Sequence, residues 1–265
     1  MSEPDDAVDL AVEDGVATVT LNRPDVRNAL TDEVSAGILD ALDEIEDSDA
    51  RAVVLTGTEG SFSAGGDISA MTERLSGDVP LAESVRHIHR DTSRAIERVA
   101  KFYLPTVARI DGAAFGAGAN LALACDVQLA GADARIGFGF RQVGLAVDTG
   151  TSYFLPRIVG LNKAKELVFT GELLDADEAA DLGLFNHVFE EDFEAEVEAF
   201  VERIAQGPTV ALETSKRALN QGFEQSLDQA MTREAAHQAA VFESRDHEEG
   251  ATAFLEGRDP DFEGR

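Results

Sequence analysis

The sequence contains a single cysteine, Cys125, among its 265 residues. One cysteine excludes an intramolecular disulfide and a zinc site built from several cysteines. It is also typical of a chain that functions in a reducing compartment. A chain of this length can bury an independent hydrophobic core, so we expect one large domain that needs neither disulfides nor metals for stability.

Long apolar runs are also missing. The longest stretch, from Gly112 to Cys125, is too short to cross a bilayer and is interrupted by Asn120. The first residues, Met1 to Asp6, are acidic and lack the apolar region of a secretion signal. We therefore expect a cytoplasmic protein with no membrane segment.

Positive charge is scarce. Lys and Arg total 22 against 51 Asp and Glu, the formal net charge is −29, and only four of the basic residues are lysine. A field of this sign repels nucleic acid and anionic lipid, so we expect neither as a partner. The acidic residues are spread along the chain, which is typical of a halophilic protein whose self-repulsion is screened by salt.

The hydrophobic patterns predict an α/β fold. Alternating segments at Val8–Glu13 and Val16–Leu21 predict a hairpin. Buried-strand patterns at Arg51–Thr56 and Thr106–Ile110 each lead into a glycine-rich turn. A helix from about Ala117 to Cys125 follows the second turn, so the order strand, turn, helix and strand predicts α/β crossover units.

The pattern changes toward the C-terminus. Beyond Leu161 the apolar residues recur mostly at helical spacing. We predict a β-rich core over residues 1–190 and a helical segment over residues 191–265.

The two glycine-rich turns run from Ser61 to Ile68 and from Asp111 to Asn120. Small residues let a ligand approach the backbone, and the amides at a helix start carry positive partial charge. Two such N–H groups directed at one oxygen would form an oxyanion hole. Either turn alone is equally compatible with an ordinary tight turn. A dinucleotide site is disfavoured because Gly116-Ala117-Gly118 lacks the third glycine of that motif.

Several motifs are distributed over nearly the whole chain. They are Leu21-Asn22-Arg23-Pro24, Asn28-Ala29-Leu30, the turn from Ser63 to Ile68, Asp111-Gly112, Gly116-Ala117-Gly118, Cys125-Asp126, Gly144-Leu145, Leu155-Pro156-Arg157, Thr170-Gly171, Glu249-Gly250 and Ala253-Phe254-Leu255. In combination they resemble the crotonase (enoyl-CoA hydratase/isomerase) superfamily. The resemblance implies a crotonase (ClpP-like) fold, in which a β-β-α superhelix core is followed by a helical C-terminal segment. It also implies a homotrimer or homohexamer.

The resemblance further implies an acyl-CoA substrate. The N–H groups of Gly66 and Ala117 would hold its thioester oxygen. Coenzyme A is part of the substrate, so neither a separate cofactor nor a metal is expected. Arg27 could contact a phosphate or be a solvated surface arginine. The further positions implied to line the substrate are Val26, Arg27, Ser63, Ala64, Asp67, Ile68, Gly116 and Asn120.

Two positions depart from the pattern of the family's hydratases. Those enzymes use two glutamates, which the resemblance places at Asn120 and Phe140, and neither residue can transfer a proton here. The nearest candidate base is Asp148. Isomerase branches of the family, including the one that acts on ring-epoxide phenylacetyl-CoA, use an aspartate at this position. Phe138, Phe140 and Leu145 would surround it with apolar groups and exclude water.

The sequence thus predicts an enoyl-CoA isomerase in which Asp148 carries the proton. A dienoyl-CoA isomerase is disfavoured because it needs another acid at Phe140. The alternatives are a 2-enoyl-CoA hydratase with a displaced acid, or a non-catalytic acyl-CoA binder. Asp148 could also be a turn residue that caps the helix after Gly150.

Overall fold

The computed structural model describes residues 6–67 and 92–265. The strands in these ranges are β1 (Val8–Glu13), β2 (Val16–Leu21), β3 (Ala52–Gly57), β4 (Ser61–Ser63), β5 (Thr106–Ile110), β6 (Ala113–Phe115), β7 (Val127–Gly131), β8 (Arg135–Gly137), β9 (Leu173–Leu174) and β10 (His187–Phe189). The helices are α1 (Asp32–Glu46), α2 (Thr92–Ala100), α3 (Ala117–Ala124), α4 (Thr151–Val159), α5 (Leu161–Thr170), α6 (Ala176–Asp181), α7 (Phe193–Ala205), α8 (Thr209–Gly222), α9 (Leu227–Val241) and α10 (Arg245–Glu256).

The strands form two sheets. The larger sheet has the order β1-β2-β3-β5-β7-β10, and only its β1–β2 pair is antiparallel. The smaller sheet has the order β4-β6-β8-β9, with β8 and β9 antiparallel. Successive strands β3, β5 and β7 of the larger sheet are each followed by a short strand of the smaller one. A helix then leads onward, so the β-β-α superhelix predicted from the motifs is confirmed.

The predicted hairpin is also confirmed. Residues Val8–Glu13 pair with Val16–Leu21 across a two-residue turn. Asp14 and Gly15 adopt φ values of +49° and +78°, which is the left-handed backbone that a tight hairpin of this kind requires.

Helix α1 buries one face against the sheet. Thr31 caps its start by accepting a hydrogen bond from the amide of Val34 at 3.2 Å. Val34, Ile38 and Leu42 recur at helical spacing and are at most 2% exposed. The apolar periodicity of the sequence therefore corresponds to the inner face of this helix, which packs against α2 and β1.

Five short strands differ from the sequence prediction. The glycine-rich turns predicted from Ser61 to Ile68 and from Asp111 to Asn120 contain β4 and β6, and β8, β9 and β10 were not predicted at all. Each of these strands has only two or three residues. Such a segment is too short for the alternation of apolar and polar residues that predicts a strand, and its pairing partners come from distant parts of the chain.

The C-terminal helices contact the core in two ways. Val197, Val201 and Ala205 of α7 are buried against Ala52 and Val54 on the second face of the larger sheet. The predicted boundary at residue 190 stays a prediction. Helix α7, which follows this boundary in the sequence, covers the second face of the larger sheet. Among residues 6–67 and 92–265, no helix combines the length and apolar character that a bilayer crossing requires.

Helix α8 is fixed to the core by Lys216. Its Nζ lies 2.6 Å from Asp126 Oδ2 and donates to the carbonyl oxygen of Leu104 at 2.8 Å. The lysine side chain is 9% exposed and the aspartate 28% exposed. Thr106 donates to the same carboxylate oxygen from both its amide and its hydroxyl.

Replacement of Lys216 by Met should therefore lower the free energy of unfolding by about 2–3 kcal/mol, because the half-buried Asp126 loses its charge partner. Lys163→Met is the control, since Lys163 pairs with Glu166 on an exposed helix surface. The control should cost less than about 0.5 kcal/mol. Urea denaturation at fixed salt measures both, and equal losses would contradict the structural assignment.

Candidate active site

The two glycine-rich turns lie side by side because they leave neighbouring strands. β4 and β6 are adjacent and parallel, with Ser61 opposite Ala113 and Ser63 opposite Ala114. The glycines of each turn that approach the other turn follow the carboxyl end of its strand. Parallel pairing therefore brings two segments that are about 50 residues apart in the sequence to the same edge of the smaller sheet.

The contact between the turns leaves no room for side chains. A Cβ at Gly65 would overlap the carbonyl oxygen of Phe115 and lie 3.2 Å from the amide nitrogen of Ala117. A Cβ at Gly118 would lie 2.7 Å from both Cβ and Oγ of Ser63. The backbones of the two turns thus touch directly, and the glycines are needed for this approach.

The first turn is held by a segment that precedes α1. Asn28 is fully buried, and its Nδ2 donates to the carbonyl oxygens of Ser61 at 2.8 Å and Thr58 at 3.1 Å. Ser63 Oγ donates to the Asn28 carbonyl oxygen at 2.7 Å. In the sequence, Asn28 stands out only as the first residue of the motif Asn28-Ala29-Leu30. Its role as the brace of the turn follows from contacts about 30 residues away.

The second turn ends where α3 begins. Gly116 has φ +55° and donates from its amide to the carbonyl oxygen of Gly137 at 2.9 Å. Ala117 is the first residue of α3, so its N–H has no carbonyl partner four residues back within the helix. All eight residues of α3 are buried. The partial positive charge of the helix start is therefore placed next to Gly65 and Gly66 of the first turn.

Asp148 lies beside the first turn of α3. Asn120, one helical turn after Ala117, donates from Nδ2 to the Asp148 carbonyl oxygen at 3.1 Å. The same amide donates to Thr149 Oγ1 and Thr151 Oγ1, both at 2.8 Å. The structure thus brings three of the predicted site positions, 117, 120 and 148, into one neighbourhood. The two threonines were not predicted, because nothing in the local sequence pairs them with residue 120.

Asp148 does not cap helix α4. Gly150 occupies the N-cap position of α4 and no side chain caps it. The amide of Thr151 instead donates to the backbone oxygen of Asp148 at 3.0 Å. The carboxylate of Asp148 accepts a hydrogen bond from the Thr149 hydroxyl at 3.2 Å instead.

The other predicted site residues occupy different environments. Val26 is 40% exposed, and Arg27, also exposed, accepts a hydrogen bond at its carbonyl oxygen from the amide of Ala64 at 2.9 Å. Asp67 is half-buried at the end of the first turn. Ile68 lies outside the described residues.

The aromatic positions of the predicted pocket belong to the core. Phe138 is fully buried and Phe140 is 8% exposed. Leu145 is 44% exposed, although its amide donates to the carbonyl oxygen of Phe140 at 3.0 Å. Phe140 therefore supplies an apolar, buried group at the position where a hydratase of this pattern would have an acid.

A cavity of about 1090 Å³ opens between α2, α4 and α8. Its wall includes Thr149 and Gly150 but not Gly66, Ala117 or Asp148. The candidate active site is therefore defined by the contact between the two turns, and the cavity lies behind it.

Cys125 also borders this cavity and is 4% exposed. Burial raises the pKa of its thiol. A thiol in such surroundings stays protonated near neutral pH and is a poor nucleophile. Cys125 is therefore a packing residue.

Known proteins with related sequences match nearly the whole chain. The sequence profile of the enoyl-CoA hydratase/isomerase family matches residues 11–265. The 1,2-epoxyphenylacetyl-CoA isomerase of Escherichia coli K12 is 34% identical over 257 residues, or 96% of this chain and 97% of that protein. The short-chain-enoyl-CoA hydratase of Clostridium acetobutylicum is 35% identical over 254 residues, which is 94% of each chain.

Solved structures agree with the sequence comparison. The crystal structure of an enoyl-CoA hydratase/isomerase from Cupriavidus metallidurans CH34 matches with a TM-score of 0.90 at 34% identity. The match covers 99% of this chain and 98% of that one. The repeated β-β-α topology is that of the crotonase superfamily. Within it, the chain belongs to the enoyl-CoA hydratase/isomerase family.

The close contact at Gly118 gives a test of the paired turns. Alanine in place of a helical glycine normally stabilises a protein by up to about 1 kcal/mol. Gly118→Ala should instead destabilise by about 1–3 kcal/mol, because its methyl group overlaps Ser63 and pushes the turns apart. Chemical denaturation, together with calorimetric titration of an enoyl-CoA thioester, measures the effect.

Gly222→Ala is the matched control. Gly222 also lies in a helix, and a Cβ there would meet nothing within 4 Å. This variant should be neutral or slightly stabilising and should bind the thioester like the parent. A Gly118 variant with the same behaviour would show that the turns are not tightly packed.

Proposed function

We propose that this protein is an enoyl-CoA isomerase that moves a carbon–carbon double bond along an acyl-CoA thioester. The N–H groups of Gly66 and Ala117 hold the thioester oxygen and stabilise the enolate. Asp148 takes up and returns the proton. The observation that carries the proposal is the position of Asp148 beside the first turn of α3, together with the absence of an acid at positions 120 and 140.

The oxyanion hole is supported by the contact between the turns. The amides of Ala64 and Gly65 are used within the protein, by the Arg27 carbonyl oxygen and by Ser63 Oγ. Ala117 adds the amide of a helix start, which carries positive partial charge. Donors that are fixed before the reaction stabilise developing negative charge without reorganisation, and each contributes about 3–4 kcal/mol in the best-studied case.

A single carboxylate is sufficient for the proposed proton shift. The Asp148 carboxylate removes a proton from C2 of a 3-enoyl-CoA, and the electron pair moves onto the thioester oxygen to give a dienolate. The resulting carboxylic acid then delivers the proton to C4. The double bond moves from C3–C4 to C2–C3, no atom is lost or gained, and the carboxylate is restored.

Hydration is disfavoured by the groups at positions 120 and 140. Asn120 has its amide engaged with two threonines, and Phe140 presents a buried ring. A phenylalanine cannot hold or deprotonate the water that a hydratase adds, and Asn120 cannot act as a base. The relatives bear both names, isomerase in Escherichia coli and hydratase in Clostridium acetobutylicum. The choice between the reactions therefore depends on the residues of this chain.

Replacement of Asp148 by Asn should lower kcat for a 3-enoyl-CoA by about 10²- to 10⁴-fold, because the amide cannot carry the proton. The rise in absorbance of the conjugated 2-enoyl-CoA product measures the rate in concentrated KCl. Asp133→Asn is the control: Asp133 is exposed on a turn and the variant has the same change in charge. The control should retain the parental rate.

The same assay separates the alternatives. Rapid hydration of a 2-enoyl-CoA that survives Asp148→Asn would identify a hydratase that uses another acid. Binding of both thioesters without turnover would identify an acyl-CoA binder.

We also propose that the protein is a cytoplasmic homotrimer or homohexamer adapted to high salt. Two observations support this assembly and environment: the dispersed net charge of −29 and a set of large apolar side chains exposed on the C-terminal helices or directly at their ends. These side chains are Leu219, Phe223, Leu227, Met231, Phe242, Phe254 and Leu255.

The charge predicts a dependence of stability on salt. The melting temperature should rise with KCl, and most of the rise should occur below about 1 M, where the Debye length has shortened to about 3 Å. Differential scanning calorimetry from low to high KCl measures the curve. An equal rise in sucrose at low ionic strength would indicate general stabilisation by excluded solutes rather than charge screening.

A further inference from the structure

The buried side-chain amide of Asn120 contacts the segment that carries the proposed base, Asp148. The Asn120 side chain is fully buried in α3, where the surrounding residues are mostly small and apolar. Its Nδ2 donates to Thr149 Oγ1 and to Thr151 Oγ1, each at 2.8 Å. Its Nδ2 group and the two hydroxyl groups therefore fix one another, whereas the buried Asn120 Oδ1 makes no hydrogen bond to the described residues.

The direction of these hydrogen bonds leads to Asp148. Because Asn120 Nδ2 is a donor, each threonine hydroxyl accepts from it and directs its own proton elsewhere. The Thr149 hydroxyl donates to Asp148 Oδ1 at 3.2 Å. The Thr151 hydroxyl donates to the backbone oxygen of Asp148 at 3.1 Å. One hydroxyl therefore fixes the carboxylate, and the other fixes only the main chain.

The backbone between Asp148 and α4 is strained. Thr149 is β-branched, yet its φ is +46°, and Gly150 follows with φ +100°. A β-branched residue adopts the left-handed region only where its surroundings enforce it. The hydrogen bonds from Asn120 to both threonines supply that constraint.

We propose that Asn120 is a positioning residue that acts through Thr149 to orient the Asp148 carboxylate. The inference rests on the proposed function of Asp148 as the proton carrier. The amide holds the Thr149 hydroxyl, and the hydroxyl restricts rotation of the carboxylate group so that it stays directed for proton transfer. Position 120, which the family resemblance assigns to an acid in hydratases, thus helps to hold the proposed base in its orientation.

Thr149→Val and Thr151→Val form a matched pair for the test. Each removes one hydroxyl that accepts from the same Asn120 amide, with little change in shape. Only the first removes a hydrogen bond to the carboxylate. Thr149→Val should lower kcat by about 10- to 100-fold with little change in KM, because the reacting group is misplaced and the thioester is still bound. Thr151→Val should lower kcat much less, at a similar loss of melting temperature.

Two further variants test the route. Thr149→Ser restores the hydroxyl and should recover most of the lost kcat. Asn120→Ala combined with Thr149→Val should reduce kcat no further than the stronger single variant. If Asn120 acts through Thr149, the effects of the two substitutions on kcat are not additive. Losses that multiply would mean that Asn120 acts on the reaction independently of Thr149.

Asn120→Asp provides a second measurement if Thr149→Val does not fold. The aspartate keeps the shape of asparagine but accepts where Asn120 donates, which draws the Thr149 hydroxyl away from Asp148. It should therefore lower kcat at nearly unchanged KM. A parental kcat in this variant would overturn the positioning role.

Asp148→Asn in the same assay separates this inference from the proposed function. If Asp148→Asn retains turnover, the proposed function fails and the positioning role fails with it. If Asp148→Asn is inactive but the two Thr→Val variants lose kcat equally, or only in proportion to their melting temperatures, the positioning role alone is wrong.

Discussion

The contact between two backbones at the end of the smaller sheet is the constraint on which the site depends. Gly65 lies against the carbonyl oxygen of Phe115 and the amide of Ala117, with no side chain between them. The distance between the turns is therefore set by main-chain atoms and by the pairing of β4 with β6. Asn28 on one side and the buried helix α3 on the other keep these backbones from moving apart. The proposed enolate stabilisation requires such rigidity, since preorganised donors need no rearrangement during the reaction.

The superhelical topology explains why this arrangement arises twice in one chain. Each turn of the superhelix places one strand in the larger sheet and one in the smaller, and then a helix. Two consecutive turns of the superhelix thus place the two glycine-rich segments side by side. The surroundings of the two segments differ because they lead into different parts of the chain. The second segment continues into α3, which carries Asn120 toward Asp148, Thr149 and Thr151.

The sequence predicted the parts of the fold that depend on local patterns. The β1–β2 hairpin and the helices beyond Leu161 have a turn signal or a periodicity of their own. The short strands β4, β6 and β8 have none, because they exist through pairing with distant segments. The candidate site divides in the same way. Positions 66, 117 and 148 were predicted from motifs that resemble a family, whereas Asn28 and Thr149 are held by contacts about 30 residues away, for which no local pattern exists.

Cys125, the single cysteine of the chain, is buried and can report on local opening of the structure around it. Cys125 is 4% exposed and directly precedes Asp126, the residue to which Lys216 connects α8. Because Cys125 is 4% exposed, a thiol reagent reacts with this sulfur faster when the wall of the adjacent cavity loosens. Because the chain has no other cysteine, its labelling rate measures that local opening without interference. Exchange between α8 and the core can thus be followed in the native protein, and separately from loss of the turns where thioester chemistry is proposed to occur.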